Sequence, residues 1–478
     1  MAGLCAAYQI GRTGRRVLVL DDGAIGGGET GRTTAHLTCA IDDRLVEVEE
    51  IRGTSAMIRA ARSHAAAIEW FEAVVAREGI ACDFRRLPGY LLPATADHQL
   101  LLARELDAAL RADLDVTAVK DPPLPGYESG AGLGAIRFGA QGQFDPLAFL
   151  AGLADAVARH GGVVLTGHHV ASVDDGSPVT VHLRDGGTVT AGAAVIATNT
   201  PINDRVVIHT KQFPYLTYVV GVAVPRNSLT PALYWDTGHP YHYCRIVPGP
   251  DHDILLVGGE DHKPGQAEDY SDRFGRLEDW ARRRFPSATD VRVRWSGQVM
   301  ETLDGLAYLG KNPGNERVFV ATGDSGMGMT HSAIGAMLIA DQIGDAANPW
   351  TDVYDPSRKP VRSLSRFATE NLNAAVQYGD WLTGGEVDSI EAIPPGSGAV
   401  LRVGLKKLAV YRNPQGVATV CSAVCPHLKA IVRWNRAEQT WDCPAHGSRF
   451  DPTGRVVHGP ANDDLTPDDV VAAVPATG

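Results

Sequence analysis

Two short cysteine–histidine boxes near the end of the chain carry the clearest chemistry. Cys425-Pro426-His427 is followed, after fifteen residues, by Cys443-Pro444-Ala445-His446. Two thiolates and two imidazoles from adjacent loops can hold a [2Fe–2S] cluster, with both cysteines on one iron and both histidines on the other. The same set can hold a single tetrahedral zinc, because Cys2His2 is also a zinc ligand set.

The flanking residues bear on this choice. The second box continues Gly447-Ser448-Arg449-Phe450-Asp451, and Gly459-Pro460 follows. In this the segment resembles Rieske ferredoxin domains. The resemblance implies that the Ser448 hydroxyl bonds a cluster sulfide and that the proline-containing loop covers the cluster. In Rieske proteins of respiratory complexes each box has a further cysteine, and the two form a disulfide; those positions here are Ala430 and Ala445. The tyrosine that donates to a cysteine sulfur there is Phe450 here. Each lost donor leaves more charge on the cluster and disfavours an added electron. The lower Rieske range is expected, roughly −150 to 0 mV, with Ser448 retaining one donor.

The chain has 478 residues, enough for two or three domains with sizeable cores. Its 44 Lys and Arg against 56 Asp and Glu leave a net charge of −12 with no basic patch, which argues against nucleic acid as a partner. The longest apolar run, around Val219 to Val224, reads as a strand. No integral membrane segment and no signal peptide are expected. Seven scattered cysteines suggest reduced thiols and a cytoplasmic location. Cys5, Cys39, Cys82, Cys244 and Cys421 read as buried structural thiols.

The front of the chain reads as a helix from Met1 to Ile10, a turn at Gly11 to Gly14, and a buried parallel strand from Arg16 to Leu20 that ends at Asp21 and Asp22. This is the second half of a Rossmann βαβ unit. Gly3 fits the third glycine of the G-x-G-x-x-G fingerprint, and Asp21 fits the acid that binds ribose hydroxyls. The first strand and first two glycines of that unit do not appear. An in-frame upstream segment encoding an apolar strand that ends in G-x-G is therefore expected. The stretch Gly26 to His36 offers backbone N–H groups and the hydroxyls of Thr33 and Thr34, which suit a diphosphate and the edge of an isoalloxazine. Gly130 to Gly134 follows a proline-rich loop, not a strand, and reads as a turn; no second dinucleotide site for NAD(P) is found.

In the middle, Thr54 to Glu78 reads as a long helix capped by Thr54 or Ser55 and ended by Gly79. Asp145-Pro146 opens another helix, and Val163 to Leu165 is a strand. Val170–Val173, Val179–Leu183 and Thr188–Thr190 form a meander joined by Asp-Gly turns. Ala193 to Ala197 is a buried strand. Lys211–Val224 and Tyr241–Val257 read as strands of an antiparallel sheet. Val318–Thr322 runs into Gly323-Asp324-Ser325-Gly326-Met327-Gly328-Met329-Thr330-His331 and a helix to about Ile343. A helix from about Ser363 to Leu382 links to the terminal domain.

Together, Gly3 to Asp21, Gly28 to His36, Tyr241-His242-Tyr243, Gly258 to Lys263 and Gly323 to His331 resemble the D-amino-acid oxidase-like flavoproteins. That family includes glycine, sarcosine and dimethylglycine oxidases and dehydrogenases; the resemblance is to the subgroup with a C-terminal Rieske domain. It implies a Rossmann-like α/β FAD-binding domain (1–83, 140–205 and 297–345) and an antiparallel-sheet substrate domain (84–139 and 206–296). A linker helix (346–385) and an all-β Rieske domain (386–478) follow. It implies FAD and a Rieske [2Fe–2S] cluster as cofactors. Gly3, Asp21, Asp22, Gly28, Thr33, Thr34, His36, Val170, Gly323, Gly326, Met327, Gly328, Met329 and Thr330 would line the flavin. Val170 would meet the adenine through its backbone. A helix N-terminus after Gly326 would face the flavin ring, where its dipole stabilises the reduced, negative form. The segment ending in His36 also resembles one whose histidine carries a covalent flavin, although Ala35 stands where that segment has tryptophan. A covalent bond, a non-covalent contact and a structural role all stay open.

The implied reaction oxidises a C–N bond of an amine or amino acid. Electrons would then pass singly through the cluster to an external acceptor: a small redox protein, a quinone or oxygen. Tyr215, Tyr218, Tyr241 and Tyr243 are candidates to enclose an alkylamine, Arg245 to pair a carboxylate, and His262 with Asp261 to relay a proton. A non-enzymatic redox carrier or sensor, or a reductase running electrons the other way, is the alternative. A Rieske oxygenase needs a mononuclear iron site, usually beyond the cluster, where only His458 is available.

Overall fold

The computed structural model describes residues 1–124, 132–203, 208–267, 269–359 and 361–468. Gly130 and Ala131 of the glycine-rich run lie outside them. By packing, the chain divides into two compact units. The first comprises Met1–Asn199, Thr217–Asp261 and Arg273–Ser363. The second comprises Thr200–Leu216, His262–Asp272 and Leu364–Gly478. Residues read as flavin domain and residues read as sheet domain both occur in the first unit. Two internal segments, and the helix read as a linker, belong with the terminal domain.

In the first unit, the strand Leu18–Leu20 pairs in parallel with Val163–Leu165. Ala194–Ile196 pairs in parallel with Val318–Thr322, and Tyr308–Lys311 adds antiparallel to the latter. The helices Ala2–Gly11, Thr54–Glu78 and Pro146–Arg159 pack with Gly328–Ile343 on one apolar core. Asp145 caps Pro146–Arg159 by accepting from the amides of Leu147 (2.9 Å) and Ala148 (3.0 Å), a contact worth ~1 kcal/mol. The cap expected at Thr54 or Ser55 does not form. Gly53 takes that position at φ 83°, and the Thr54 hydroxyl turns to Glu49 (2.8 Å). Gly79 ends the helix in the left-handed conformation at φ 65°, which glycine adopts without strain.

The meander Val170–Asp174, Val179–Leu183 and Thr188–Ala191 forms as expected. The large sheet runs in the order Val291–Thr302, Gln212–Val224, Asp253–His262, His242–Val247, Leu233–Asp236, Arg85–Leu92, Ala135–Gln143, His36–Leu37. Leu233–Asp236 lies parallel to Arg85–Leu92, while the pairings from Asp253–His262 to Leu233–Asp236 and from Arg85–Leu92 to His36–Leu37 are antiparallel. The segment read as one strand from Tyr241 is a hairpin, turning at residues 248–252. Residues 346–359 pack on this unit through a buried triad. Arg358 grips both oxygens of Asp304 (2.8 Å each), and Arg52 adds a third contact at 2.6 Å.

The second unit holds two small antiparallel sheets. One is Ser397–Val403, Lys406–Arg412 and Ala418–Ser422; the other is Arg433–Asn435, Thr440–Asp442, Arg449–Phe450 and Val456–His458. Trp434, Trp441, Phe450, Ile431 and Leu465 fill the core. The helix read from Ser363 to Leu382 is α-helical over Leu364–Val376 and tightens to a 3-10 turn over Gln377–Trp381. Among the described residues no helix is long and apolar enough to cross a membrane.

Candidate active site and iron–sulfur centre

In the second unit the two boxes stand on separate turns. Cys425 and His427 follow the strand Ala418–Ser422; Cys443 and His446 fill the turn between Thr440–Asp442 and Arg449–Phe450. Backbone bonds lock both: Cys425 N to Ala430 O (2.9 Å), Cys443 N to Ser448 O (2.8 Å) and Gly447 N to Cys443 O (3.0 Å). Beneath the second turn the buried Asp442 carboxylate accepts from Asn435 (2.8 Å), Thr440 (2.7 Å) and Arg449 (3.2 Å).

The ligands gather in pairs. The free thiols of Cys425 and Cys443 neighbour each other, and the His427 and His446 rings meet edge to face at 5.1 Å. Among the described residues no three His, Cys, Asp or Glu side chains converge as they would on a single ion. A mononuclear zinc needs all four ligands within ~2.3 Å of one point. A two-iron cluster needs one pair per iron, which is the arrangement present. His446 Nδ1 is buried with no hydrogen-bond partner among the described residues, as suits an atom whose lone pair goes to iron. The Cys425 thiol is held below its ordinary value by Cys443, by the amides of His427 and Leu428 and by the Ser448 hydroxyl. Amides of His446 and Ala445 face Cys443. The residues therefore fit a [2Fe–2S] cluster. Ser448 Oγ also accepts from Ala461 N (2.9 Å), which ties it to the loop after Gly459-Pro460. Cys421 is a buried strand residue whose Sγ meets Thr453 O (3.3 Å). Ala430, Ala445 and Phe450 are all buried.

In the first unit, the C-terminal ends of the parallel strands carry one cluster of predicted flavin residues. Asp21 Oδ1 accepts from Gly23 N (3.0 Å), and Asp21 O accepts from His168 N (2.9 Å). Asp22 lies 3.4 Å from His169 Nδ1, and Val170 follows directly. His169, which sequence reasoning passed over, has its Nε2 buried without a partner among the described residues. The helix at Gly3 approaches Ala197 closely: a Cβ on Gly3 would stand 3.6 Å from it. A Cβ on Gly28 would meet open space. Thr33 Oγ1 accepts from Ala35 N (3.1 Å), and Thr34 Oγ1 bonds His36 Nδ1 (3.0 Å). His36 Nε2 is buried with no side-chain partner among the described residues, and the ring lies edge-on to Tyr243 at 5.5 Å. Burial and Arg245 push His36 down to about 3, so its ring is neutral.

Gly323, Ser325 and Gly326 all take positive φ (71°, 42° and 74°). They fold the chain sharply into the N-terminus of Gly328–Ile343, where the helix dipole favours negative charge and the Asp324 carboxylate already stands against Gly328. Met327, Met329 and Thr330 are buried in its first turn, and Thr330 Oγ1 bonds His64 Nδ1 (2.8 Å). Acidic residues at the parallel strand ends, an open glycine corner, an orphaned imidazole nitrogen and this helix entry together fit FAD.

Beside that entry stands a carboxylate the sequence reading missed. A Cβ on Gly326 would lie 2.1 Å from Asp42 Oδ2, and Tyr241 Oη donates to Asp42 Oδ1 (3.1 Å). Tyr241 and Tyr243 stand 5.6 Å apart, and Tyr243 Oη bonds Thr217 Oγ1 (3.2 Å). Asp261 also bonds Thr217. Burial pushes Asp42 up to about 7, against the pull of Arg44 and Tyr241. Enclosure by protein pushes Asp261 up to about 6, yet its side chain stays open to solvent. Asp261 stands at the solvent-exposed edge of this group. The only sequence signal for Asp42 is an acidic pair, Asp42-Asp43, directly after the apolar Ala40-Ile41.

The sequence matches the FAD dependent oxidoreductase (DAO) family over residues 1–342 and the Rieske [2Fe-2S] domain over residues 383–474. The chain belongs to the FAD dependent oxidoreductases and carries a C-terminal Rieske domain. A Bacillus subtilis relative named as a Rieske 2Fe-2S iron-sulfur protein, YhfW, is 26% identical over 470 residues, covering 96% of this chain and 90% of its own. Gamma-glutamylputrescine oxidoreductase of Escherichia coli is 26% identical over 364 residues, covering 72% of this chain and 82% of its own. Glycine oxidase from Geobacillus kaustophilus shares the fold at TM-score 0.61 and 22% identity, over 75% of this chain and 96% of its own. L-proline dehydrogenase from P. horikoshii does so at 0.59 and 16%, over 75% and 94%.

Within this FAD oxidoreductase the predicted catalytic residues fall into two groups. Tyr241 and Tyr243 face the Asp42 cleft. Arg245 is buried and donates its Nε–H to the Thr34 carbonyl, so it holds the His36 loop in place. Tyr218 is buried edge-on against Phe274. Tyr215 and His262 belong to the second unit. There Tyr215 Oη donates to Glu370 (3.4 Å), and His262 Nδ1 meets Lys263 O (2.8 Å).

Proposed function

We propose that this FAD oxidoreductase oxidises the C–N bond of a cationic amine and passes the electrons singly through its Rieske cluster to an external acceptor. The observation that carries the reading is the pair Asp42 and Asp261 around Tyr241 and Tyr243. Two carboxylates and two aromatic faces attract a cation. They repel a carboxylate, and Arg245, the candidate to receive one, spends its Nε–H on the Thr34 carbonyl. Bound FAD supplies the two-electron acceptor, and the cluster supplies a one-electron carrier.

The protein's own groups do the rest. Tyr241 and Tyr243 flank an alkyl chain and hold it against the Gly326 turn. Tyr241 Oη fixes Asp42 Oδ1, which leaves Oδ2 to pair with the substrate ammonium and take its proton. A carboxyl near 7 suits that exchange, because it gains and loses a proton at working pH. Asp261, held by Thr217, keeps the cleft negative as Asp42 is neutralised. The chemistry fits a reduced, cytoplasmic setting.

Anaerobic mixing of the holoprotein with a series of alkylamines and diamines tests this. The flavin absorbance should bleach, and the reduced-cluster EPR signal should then appear without dithionite. Bleaching by amino acids but not by amines would overturn the substrate class. Bleaching with an EPR-silent cluster would overturn the relay.

A further inference from the structure

The second unit contains a histidine with no part in ligation and no part in the amine chemistry. His209 lies far upstream of the boxes, within the stretch that matches the flavoprotein family, yet its ring packs edge-on against the ligand His427 at 5.0 Å. It is 3% exposed. Its Nε2–H donates to Pro201 O (3.1 Å), so the ring is fixed by its own segment. That segment is anchored on both sides. Thr200 Oγ1 sits against Gly459, where a Cβ would come within 2.5 Å. Asn371 Nδ2 donates to Thr210 O (3.1 Å).

We propose that His209 is a positioning residue of the iron–sulfur centre. Its imidazole packs edge-on against the His427 ring, which stays partly exposed, and narrows the access of water to the histidine side of the cluster. Other residues from outside the Rieske fold tie down the box loops. Tyr378 Oη donates to Leu428 O (2.7 Å), Trp381 Nε1 to Lys429 O (2.9 Å), and Gln266 Nε2 to Pro444 O (2.8 Å). Both box loops are thus held from outside the Rieske fold, but only His209 packs its ring on a ligand imidazole other than the partner ligand's, among the described residues.

The cover has a redox consequence. Two ferric ions, two sulfides and two thiolates sum to zero charge, and the added electron makes the centre −1. Water stabilises that charge better than packed side chains do, so a covered cluster holds its electron less tightly. His209 therefore keeps the potential low and holds His427 in one orientation.

The test uses the full-length holoprotein reduced with dithionite, which needs neither substrate nor a working flavin and so stands apart from the amine reading. His209→Ala should move the cluster's reduction equilibrium about tenfold toward the reduced form, which is 59 mV for one electron. Pulsed EPR in D2O should show stronger coupling to solvent deuterons. His209→Phe, which keeps a flat ring in place, should stay near the wild type in both. An unchanged potential and unchanged deuteron coupling in His209→Ala would overturn the proposal, as would His209→Phe behaving like His209→Ala. If His209→Ala loses iron, strong solvent-deuteron coupling in the wild type itself is the overturning result.

Discussion

Replacing Asp42 by asparagine removes one charge and almost no volume. In the native cleft, burial raises this carboxyl from an ordinary 3.8 to about 7, so half of it is ionised at pH 7. Below that pH the ionised fraction falls about tenfold per unit. The second-order rate of anaerobic flavin bleaching by an amine should therefore rise about tenfold per unit up to pH 7 and level off above it. The plateau arises because the cation that binds is already protonated and its proton acceptor is by then fully ionised. Asp42→Asn has to draw on the small free-amine fraction, so its rate should keep rising through pH 7 to 9 with no break. A hydrogen bond to a charged group contributes about 1.5–3 kcal/mol, so at pH 7.5 the variant should be slower by about 10- to 150-fold. Stopped-flow spectroscopy across pH 6 to 9 measures this, with the flavin spectrum and melting temperature as controls. A break near pH 7 that survives in Asp42→Asn would refute the assignment.

Tyr241→Phe removes a hydrogen bond that favours the Asp42 anion, so the break in the same profile should move above 7. Cys443→Ser or His446→Ala should abolish the reduced-cluster EPR signal while the oxidised flavin spectrum persists. Asp304→Ala leaves Arg358 buried without its carboxylate and should cost ~3–5 kcal/mol in unfolding of the flavoprotein part. His331 is buried and held at about 4 by loss of solvation, below its unfolded value near 6.5. The unfolded chain therefore binds the extra proton first, and its contribution to stability, ~3 kcal/mol, is intact above pH 6.5 and lost as pH falls from 6.5 to 4. Chemical denaturation at pH 7 and pH 5 measures that loss, and equal midpoints would contradict it.

Features set by local chemistry were legible in the sequence. The helix Thr54–Glu78, the Asp145-Pro146 start, the meander and the strand Val318–Thr322 leading into its glycine turn follow from periodicity, caps and turn residues. So do the ligand boxes, because four side chains at short spacing declare themselves. What sequence could not supply was long-range company. Arg245 has the residue type of a carboxylate clamp, but a carbonyl 211 positions away takes its Nε–H. Tyr215 lies only two residues before Thr217 and reads as part of the same strand face, yet the two fall in different packing units. Asp42 carries only the faint local signal of an acidic pair after an apolar run, and His209 carries none. One gains it from Tyr241 and Gly326, the other from a ring 218 positions along the chain.

One physical quantity sets both chemistries. Asp42 holds its proton to about 7 because the cleft withholds the water that would stabilise the anion, while Arg44 and Tyr241 return only part of that stabilisation. The cluster obeys the same balance with an electron in place of a proton. Side chains from the boxes and from His209 limit water there; a few amides and the Ser448 hydroxyl return part of what water would give. Adding donors at either place would favour the negative state and move the site away from its task. A carboxylate near 3.8 would be too weak a base for an ammonium at neutral pH. A cluster with a high potential would keep the electrons it is meant to hand on. The sparse hydrogen bonding around Asp42, and the Phe450 that stands where a donor could be, are therefore the same solution to two problems of charge burial.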